Sequence, residues 1–255
     1  MRVLLISDLH ANLQATEAVL ADAADAGWER ALVLGDLVGY GADPAAVIDI
    51  VRGLAGATVI RGNHDKAAAG LSDATDFNAI ARHAAEWTAS VLDAGRAAYI
   101  RELPQGPLGI EGLGLTAAIC HGAPFDEDHY VFDADDAARA FDAAEEDLIL
   151  FGHTHVQIAF RQMIAATAPS NQARRVVTPL DDDMIAVRGE ARSLVNPGSV
   201  GQPRDGDPRA AYGLLDTESG TLLLRRVVYD ISEAQRRIRA AGLHPQLAER
   251  LSVGR

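Results

Sequence analysis

Histidine, aspartate and asparagine residues recur in this sequence directly after short apolar runs. The stretch "FGHTHVQ" (151–157) is the plainest case, since two histidines one residue apart follow the run 148–151. The full set is Asp8, His10, Asp36, Asn63, His64, Asp65, His121, His153 and His155. Imidazole nitrogens and carboxylate oxygens without a thiolate suit divalent Mn, Fe, Zn, Co or Ni. Such a set is too large for one ion with an open position, and it predicts a two-metal site of the hydrolytic type, with Asp36 as the candidate bridge.

The spacing of these residues suggests how they converge. In extended chain, residues i and i+2 point to the same side, which predicts that Asp8 with His10, and His153 with His155, each direct two ligands at one place. Two divalent ions bring about four positive charges, of which Asp8 and Asp36 cancel two, so roughly two remain to hold an anionic phosphate ester.

The composition limits the classes of function. The chain has 255 residues and a formal net charge of −13, with Lys66 as the only lysine and no basic stripe, which disfavours stable nucleic-acid binding. The single cysteine, Cys120, excludes an internal disulfide and fits a reducing compartment. The N-terminal apolar run, Val3 to Ile6, is too short for a membrane span or signal segment. We therefore expect one cytoplasmic domain, 1–255, with no membrane partner.

The first half of the sequence alternates between strand and helix patterns. Strands are predicted at 3–7, 31–35 and 57–62, with helices at 11–26 and 43–54 between them. This order predicts a largely parallel sheet whose carboxyl strand ends gather the polar residues at one edge. An Ala-rich stretch, about 66–103, is predicted to be a helical insertion that covers the sheet edge.

The alternation resumes with a strand before His121 and a helix at 133–144, and then the pattern changes. After His155 short β-type runs separated by Gly, Pro, Asn and Asp predict a second, more antiparallel sheet, followed by a helix at 231–241. The segment 165–183 is compatible with a long hairpin or a loop. The tail from His244 carries no usable signal.

Five motifs in order resemble the calcineurin-like metallophosphoesterases. They are D-x-H at 8–10, G-D at 35–36, G-N-H-D at 62–65, His121, and G-H-x-H at 152–155. The later stretch "NPGSVGQPRDGDPRAAYGLLD" is similar to the tail motif of the small prokaryotic branch of that family. The resemblance spans nearly the whole chain and implies an α/β fold, a four-layer α-β-β-α sandwich with two mixed β-sheets.

The same resemblance implies roles for the motif residues. One divalent transition-metal ion would be held by Asp8, His10, Asp36 and His155, and a second by Asp36, Asn63, His121 and His153; Mn is the expected metal, with Fe, Zn, Ni and Co as alternatives. His64 is implied to be catalytic, assisting the leaving group, with Asp65 orienting its ring. Asp65 is equally compatible with capping the helix that follows it, and Asn12 with either a helix turn or a place beside the site.

The substrate depends on residues that depart from the family pattern. Protein phosphatases and dinucleoside tetraphosphatases of this superfamily have G-D-x-V-D-R-G, whereas this chain has "GDLVGYG" with Tyr40 in place of the arginine. Losing that guanidinium removes a clamp suited to a terminal phosphate. We therefore expect a phosphodiesterase acting on a small nucleotide-like ester, whose base would rest against Tyr40, Phe125 or Tyr130, with Asn12 and Arg204 as further candidate contacts.

Other functions remain open at this stage. They are a phosphomonoesterase or dinucleoside polyphosphate hydrolase, a nuclease of the same superfamily, and a non-catalytic protein-binding scaffold, since the retromer complex contains a subunit of this fold. A scaffold of that kind has degraded active-site positions, whereas every motif position is intact here, and the net charge disfavours a nuclease. The sequence does not predict an oligomeric state.

Overall fold

The apolar run at the N-terminus forms a strand that is buried on both faces. This strand, β1 (Arg2–Ile6), directs Val3 and Leu5 into one apolar cluster and Leu4 and Ile6 into another. Successive side chains of a strand alternate between its faces, so an uninterrupted apolar run requires a packed layer on each side. The computed structural model, which describes residues 1–164 and 175–255, contains both layers.

The remaining elements follow in chain order. The strands after β1 are β2 Arg30–Val33, β3 Thr58–Val59, β4 Leu108–Ile110, β5 Ala117–Ile119, β6 Leu148–Leu150, β7 Gln157–Ile164, β8 Arg175–Leu180, β9 Met184–Ala186, β10 Arg192–Pro197, β11 Ala210–Asp216 and β12 Thr221–Val227. The helices are α1 Leu13–Ala26, α2 Pro44–Gly53, α3 Asn63–Ala68, α4 Ala79–Val91, α5 Ala94–Glu102, α6 Ala134–Ala143, α7 Ile231–Ala240 and α8 Pro245–Glu249, with a short 3-10 turn at Arg250–Ser252.

The strands form two mixed sheets, as predicted. The first has the order β3-β2-β1-β11-β12-β9 and the second β4-β5-β6-β10-β7-β8. In the first, β1 is parallel to β2 and antiparallel to β11, whereas in the second β6 is parallel to both β5 and β10. The carboxyl ends of β1, β2, β3, β5 and β6 therefore carry the loops that hold the motif residues.

Three apolar clusters give the four-layer order. One cluster joins the inner faces of the two sheets, with Leu5 and Leu32 from the first and Leu150 and Val195 from the second. A second cluster packs α1, α2, α7 and α8 on the outer face of the first sheet, and a third packs α6 on the outer face of the second. Burial of apolar side chains at all three levels stabilises the stacking that positions the strand ends.

The second half of the chain does not form a sheet of its own, and that prediction is wrong. Strands β7, β8 and β10 extend the second sheet, but β9, β11 and β12 extend the first, where Leu4 of β1 pairs with Leu214 of β11. The free edge of β1 accepts an antiparallel partner from far along the chain, and the apolar pattern of a strand does not specify which edge it joins. Of the ambiguous segment 165–183, residues 165–174 lie outside the described residues.

The predicted insertion, about 66–103, contains α4, α5 and the end of α3. Asn78 caps α4 by accepting hydrogen bonds from the N–H groups of Ile80 at 3.1 Å and Ala81 at 3.0 Å. Ala84 of α4 and Ile100 of α5 belong to the same apolar cluster as α1 and α2. Sequence patterns did not predict α8 or the 3-10 turn after it, which cover this layer through the buried side chains Leu247 and Leu251.

Candidate active site

The loops after β1, β2, β5 and β6 bring the predicted metal ligands together at one edge of the molecule. Two groups of ligand atoms form there, each with its atoms within 4.8 Å of one another. The first group is Asp8, His10, Asp36 and His155, and the second is Asp36, His121 and His153. All of these residues are buried, and Asp36 belongs to both groups.

The backbone at these ligands is not extended. Asp8, His10, Asp36, His153 and His155 have φ values of 54°, 47°, 53°, 67° and 60°, in the left-handed region that residues other than glycine rarely adopt. The extended backbone predicted for both pairs is therefore wrong, although Asp8 and His10 still belong to one group, as expected. His153 and His155 instead face different groups. Strained backbone of this kind costs about 1–3 kcal/mol per residue and concentrates at functional sites.

Two histidines of the first group face each other with bare ring nitrogens. The Nδ1 atoms of His10 and His155 lie 3.0 Å from the Val38 carbonyl and 2.7 Å from the Gln202 carbonyl. Because a carbonyl only accepts, each Nδ1 carries the proton, and burial keeps the pKa of each ring below its ordinary value. The two Nε2 atoms then present lone pairs to each other at 3.0 Å, an arrangement that a cation between them stabilises.

The second group is arranged around His121 and His153. His121 donates from Nδ1 to the Leu34 carbonyl at 2.8 Å, and its Nε2 lies 3.4 Å from Asp36 Oδ2 and 3.2 Å from Asn63 Oδ1. Burial lowers the pKa of His121, but Asp36, Asp8 and the Leu34 carbonyl together outweigh burial and raise it to about 10. A metal ion at this position therefore takes the place of a proton. His153 uses Nε2 against the Asp128 carbonyl at 3.0 Å, which leaves Nδ1 for the site.

The Asp36 carboxylate fits the role of a bridging ligand. Its Oδ1 accepts a hydrogen bond from the His64 N–H at 2.8 Å, whereas its buried Oδ2 has no hydrogen-bond partner. That oxygen lies 3.5 Å from His10 Nε2 and 3.4 Å from His121 Nε2, one histidine from each group. Burial raises the pKa of Asp36, but His121 and His64 outweigh it and hold the pKa well below its ordinary value. An unpartnered buried anion shared by two nitrogen-rich groups is the donor set that two divalent cations require.

Gly62, the residue before Asn63, has no side chain, and this allows Asp36 to lie close to the Gly62 backbone. A Cβ on Gly62 would lie 2.5 Å from the Asp36 backbone nitrogen and would also meet its carboxylate. We expect Gly62→Ala to displace Asp36, to lower the free energy of unfolding by about 1–3 kcal/mol and to weaken metal binding at least about tenfold. Denaturant titration and metal titration measure the two effects. Gly53→Ala is the matched control, because a Cβ there meets nothing within 4 Å, and equal results for both variants would contradict this role of Gly62.

His64 lies beside the metal groups and is not a member of either. The side chain is 3% exposed, and its ring centroid is 4.3 Å from that of Tyr40 and 4.6 Å from that of Phe77. Its Nδ1 has no hydrogen-bond partner. Burial lowers the pKa of His64 to about 4, although Asp36 opposes this shift, so the ring is neutral at neutral pH.

Asp65 does not orient the His64 ring, and that expectation is wrong. Its Oδ1 accepts from the Val38 N–H at 3.2 Å and its Oδ2 from the Gly62 N–H at 3.0 Å. The second contact is the capping-box bond of α3, so Asp65 stabilises the start of this helix and the loop after β2. This role is closer to the alternative that Asp65 caps the helix. Burial and the Asp36 charge raise the pKa of Asp65 to about 7.

Four of the predicted metal ligands line a cleft of about 180 Å³, namely Asp36, Asn63, His153 and His155. Tyr40 and Arg204 line it, as expected for substrate contacts, and an Arg204 Nη donates to the Tyr40 hydroxyl at 3.3 Å. Asn12 does not line this cleft: its Oδ1 caps α1 through the Ala15 N–H at 3.1 Å and its Nδ2 donates to the Gly201 carbonyl at 2.8 Å. The structure therefore favours the helix-turn alternative for Asn12.

The structure adds supporting residues in the stretch that resembles the family's tail motif. Asn196, at the end of β10, donates to the Gly152 carbonyl and to Thr154 Oγ1, both at 2.7 Å. Ser199 donates to the Asp8 carbonyl at 2.8 Å. The Asn-Pro-Gly-Ser run was the available signal for this brace. The backbone carbonyls that orient the histidines cannot be predicted from residue types, because every residue has a backbone carbonyl.

Among residues 1–164 and 175–255, none of the helices has the length and apolar character needed to cross a bilayer.

Comparison with known proteins agrees with this site. A model described as the calcineurin-like phosphoesterase superfamily domain matches residues 1–220. An uncharacterized protein of Methanocaldococcus jannaschii is 33% identical over 257 residues, covering 99% of this chain and 98% of that protein. The crystal structure of a metallophosphoesterase from Sphaerobacter thermophilus is 39% identical, with a TM-score of 0.82 and coverage of 100% of this chain and 99% of that one.

A hypothetical protein from Pyrococcus horikoshii shares the fold, with a TM-score of 0.80 at 19% identity over 100% of this chain and 98% of that one. The family model and the Sphaerobacter structure confirm the resemblance drawn from the five motifs. The family implies divalent metal ions, and the two ligand groups sharing Asp36 form a candidate dinuclear site. The chain belongs to the calcineurin-like phosphoesterase superfamily and is a phosphoesterase.

Proposed function

We propose that this phosphoesterase is a dinuclear metal-dependent phosphodiesterase that hydrolyses a small nucleotide-like diester. The observation that carries the proposal is the charge of the cleft above the ligand groups. Asp76 and Asp128 line that cleft, and Lys66, which also lines it, is paired to Asp128 at 2.6 Å. Arg204 is the remaining cation in the described lining and forms no ion pair with a carboxylate there.

Charge decides between the two ester classes. A phosphate monoester carries about −1.5 to −2 at neutral pH, whereas a diester carries a single negative charge. The Asp76 carboxylate repels the more highly charged monoester more strongly, whereas the charges of Asp128 and Lys66 offset each other. The family arginine that would offset this repulsion is replaced by Tyr40, whose hydroxyl accepts a hydrogen bond from Arg204.

The chain's own residues then have these roles. Asp8, His10, Asp36 and His155 would hold one ion, and Asp36, Asn63, His121 and His153 the other, with Mn²⁺ as the proposed metal. When bound, such ions activate water and stabilise the negative charge of the reacting phosphate. Arg204 has a buried Nε without a hydrogen-bond partner, which a substrate oxygen would supply.

His64 is the proposed proton donor to the leaving oxygen. Its ring lines the cleft, and an anionic ester beside the ring would favour the protonated form that burial disfavours. Its unpartnered Nδ1 leaves the ring free of competing hydrogen bonds at that atom. Asp65 has a positioning role in this proposal, because it braces the loop and helix start that carry His64.

One aromatic side chain remains as the candidate contact for a base. Tyr130 lines the cleft, is 41% exposed and stacks on His153 with the ring centroids 3.9 Å apart. Tyr40 is only 8% exposed, and Phe125 packs against His129 with a centroid distance of 4.9 Å. We therefore propose Tyr130 as the surface on which the base rests.

We expect the Mn²⁺-loaded protein to hydrolyse bis-p-nitrophenyl phosphate at least about tenfold more efficiently, in kcat/KM, than p-nitrophenyl phosphate, since like-charge repulsion of this kind is worth ~1–2 kcal/mol near a protein surface. Initial rates on both esters measure this ratio. Asp76→Asn is an informative variant, because removing one repelling carboxylate should bring the kcat/KM values for the diester and the monoester closer together. A monoester turned over faster than the diester by the unaltered protein would overturn the preference.

The buried ligand groups favour an enzyme over the scaffold alternative, because an unpartnered Asp36 oxygen among bare imidazoles is costly without a metal ion. The cytoplasmic location and the absence of stable nucleic-acid binding, expected from Cys120 and the net charge, stay predictions.

A further inference from the structure

A second groove adjoins the catalytic cleft on the side of Tyr40. It lies between the start of α4 and the C-terminal tail and is about 550 Å³ in volume. Its lining residues are Tyr40, Asn78, Ala79, Ile80, Gln246, Leu247, Arg250 and Arg255. Tyr40 and Asn78 also line the catalytic cleft, so the two spaces meet at these residues.

Two arginines flank Tyr40 at this junction. The guanidinium carbons of Arg204 and Arg250 lie 5.7 Å and 6.0 Å from the centroid of the Tyr40 ring. We call Arg204 and Arg250 the arginine pair. Arg250 donates from Nε to the backbone oxygen of Arg255. In the described part of the chain neither arginine is paired with an aspartate or glutamate, whereas Arg226 is paired with Asp205.

The arginine pair is short of an anion. Both side chains are half-buried, and the Nε of Arg204 is buried without a hydrogen-bond partner. Burial and the Arg204 charge lower the pKa of Arg250, so the Arg250 cation is disfavoured where it lies. The net charge of the protein is −13, so carboxylates are plentiful elsewhere, and two guanidiniums beside one ring without an acidic side-chain partner are suited to an incoming anion.

We propose that the arginine pair and the adjoining groove form a subsite for a second phosphate group, carried on the leaving arm of the substrate. This inference rests on the proposed phosphodiesterase function. The subsite lies on the leaving-group side because the Tyr40 ring, which the pair flanks, contacts the His64 ring at 4.3 Å. In hydrolysis, water adds to the scissile phosphorus, the P–O bond to the arm breaks, and the arm leaves as an alcohol after gaining a proton. The second phosphate is unchanged.

Two diesters that differ only in the arm test the subsite. They are methyl 3-hydroxypropyl phosphate and methyl 3-phosphopropyl phosphate, assayed with the Mn²⁺-loaded protein by phosphorus NMR of the methyl phosphate released. We expect kcat/KM to favour the phosphorylated arm by about tenfold or more, since a charge-assisted hydrogen bond is worth that much. Arg250→Gln should reduce this preference at least about fivefold, mainly through KM. Arg236→Gln, which removes an exposed arginine paired with Glu233, should leave the preference and both rates unchanged.

A binding measurement separates failure of the subsite from failure of the phosphodiesterase proposal. Calorimetric titration compares propane-1,3-diphosphonate with propylphosphonate on the unaltered protein and on Arg250→Gln. If neither diester is hydrolysed, the proposed function fails, but tighter binding of the diphosphonate that is lost in Arg250→Gln still supports the subsite. Equal affinity for the two phosphonates overturns it. An equal fall in rate on both diesters in Arg250→Gln also overturns it, because that result indicates a structural role.

Discussion

Asp36→Asn is expected to leave the protein with fewer than two divalent ions per chain and to reduce turnover by about 10³-fold or more. The estimate follows from the several kcal/mol that metal ions contribute to stabilising charge in phosphoryl transfer. The Oδ2 atom of Asp36 is the one ligand oxygen shared by both groups, 3.5 Å from His10 Nε2 and 3.4 Å from His121 Nε2. An amide at this position removes the negative charge that both ions share, so every substrate should be affected alike.

Elemental analysis of protein dialysed against Mn²⁺ gives the metal content, and initial rates on a diester give turnover. The unaltered protein should bind two ions per chain, in line with the two ligand groups. Asp49→Asn is the matched control, because Asp49 is an exposed carboxylate paired with Arg96 and distant from the cleft lining. Retention of both ions and of turnover in Asp36→Asn would contradict the bridging role.

The identity of the ligands was predictable because it depends on local pattern. Each polar group follows a short apolar run, and the carboxyl ends of parallel strands meet at one edge of a sheet. On this basis Asp8, Asp36 and His121 are predicted to lie near one another, and the structure brings them together. The same rule about strand ends applies across the two sheets, because β1 and β6 belong to different sheets whose ends face each other.

The group that each of those residues joins, and the contacts it makes there, were not predictable from the residues alone. His153 and His155 face different groups because left-handed backbone at both positions turns the chain between them, and nothing in "GHTH" indicates this conformation. Asp65 illustrates the same limit. Asp65 directly follows His64 in the sequence. Its carboxylate nevertheless accepts hydrogen bonds from two backbone N–H groups, those of Gly62 and of Val38, which is 27 residues away.

Long-range pairing explains the remaining differences. The apolar alternation of β11 is satisfied equally by either sheet, and only its register with β1 decides the outcome. The C-terminal tail carried no signal because α8 is short, and its role depends on where Leu247 and Arg250 pack. Arg250 reaches Tyr40 across more than 200 residues of sequence, a contact that no local pattern encodes.

His64→Asn is expected to retain both metal ions while losing about 10²- to 10⁴-fold in rate on an ester with a poor leaving group, the usual contribution of general acid catalysis. Asparagine has a smaller side chain that keeps some hydrogen bonding but cannot titrate. The rate on a p-nitrophenyl diester should fall far less, because p-nitrophenolate departs without a proton. The ring of His64 contacts Tyr40 and Phe77 but belongs to neither ligand group, which is why metal content should be preserved.

Metal content and kcat on a p-nitrophenyl and an alkyl diester are measured for His64→Asn and for two comparison variants. His83→Asn makes the same substitution at an exposed position on α4 and should change nothing, whereas Asp36→Asn should depress both esters equally. His64→Gln guards against a packing defect, since its longer side chain fills more of the space beside Tyr40. Loss of a metal ion in both His64 variants would make His64 a ligand. An equal loss of rate on the two esters, with the metals retained, would make it a contact to the phosphate oxygens and exclude the proton-donor role.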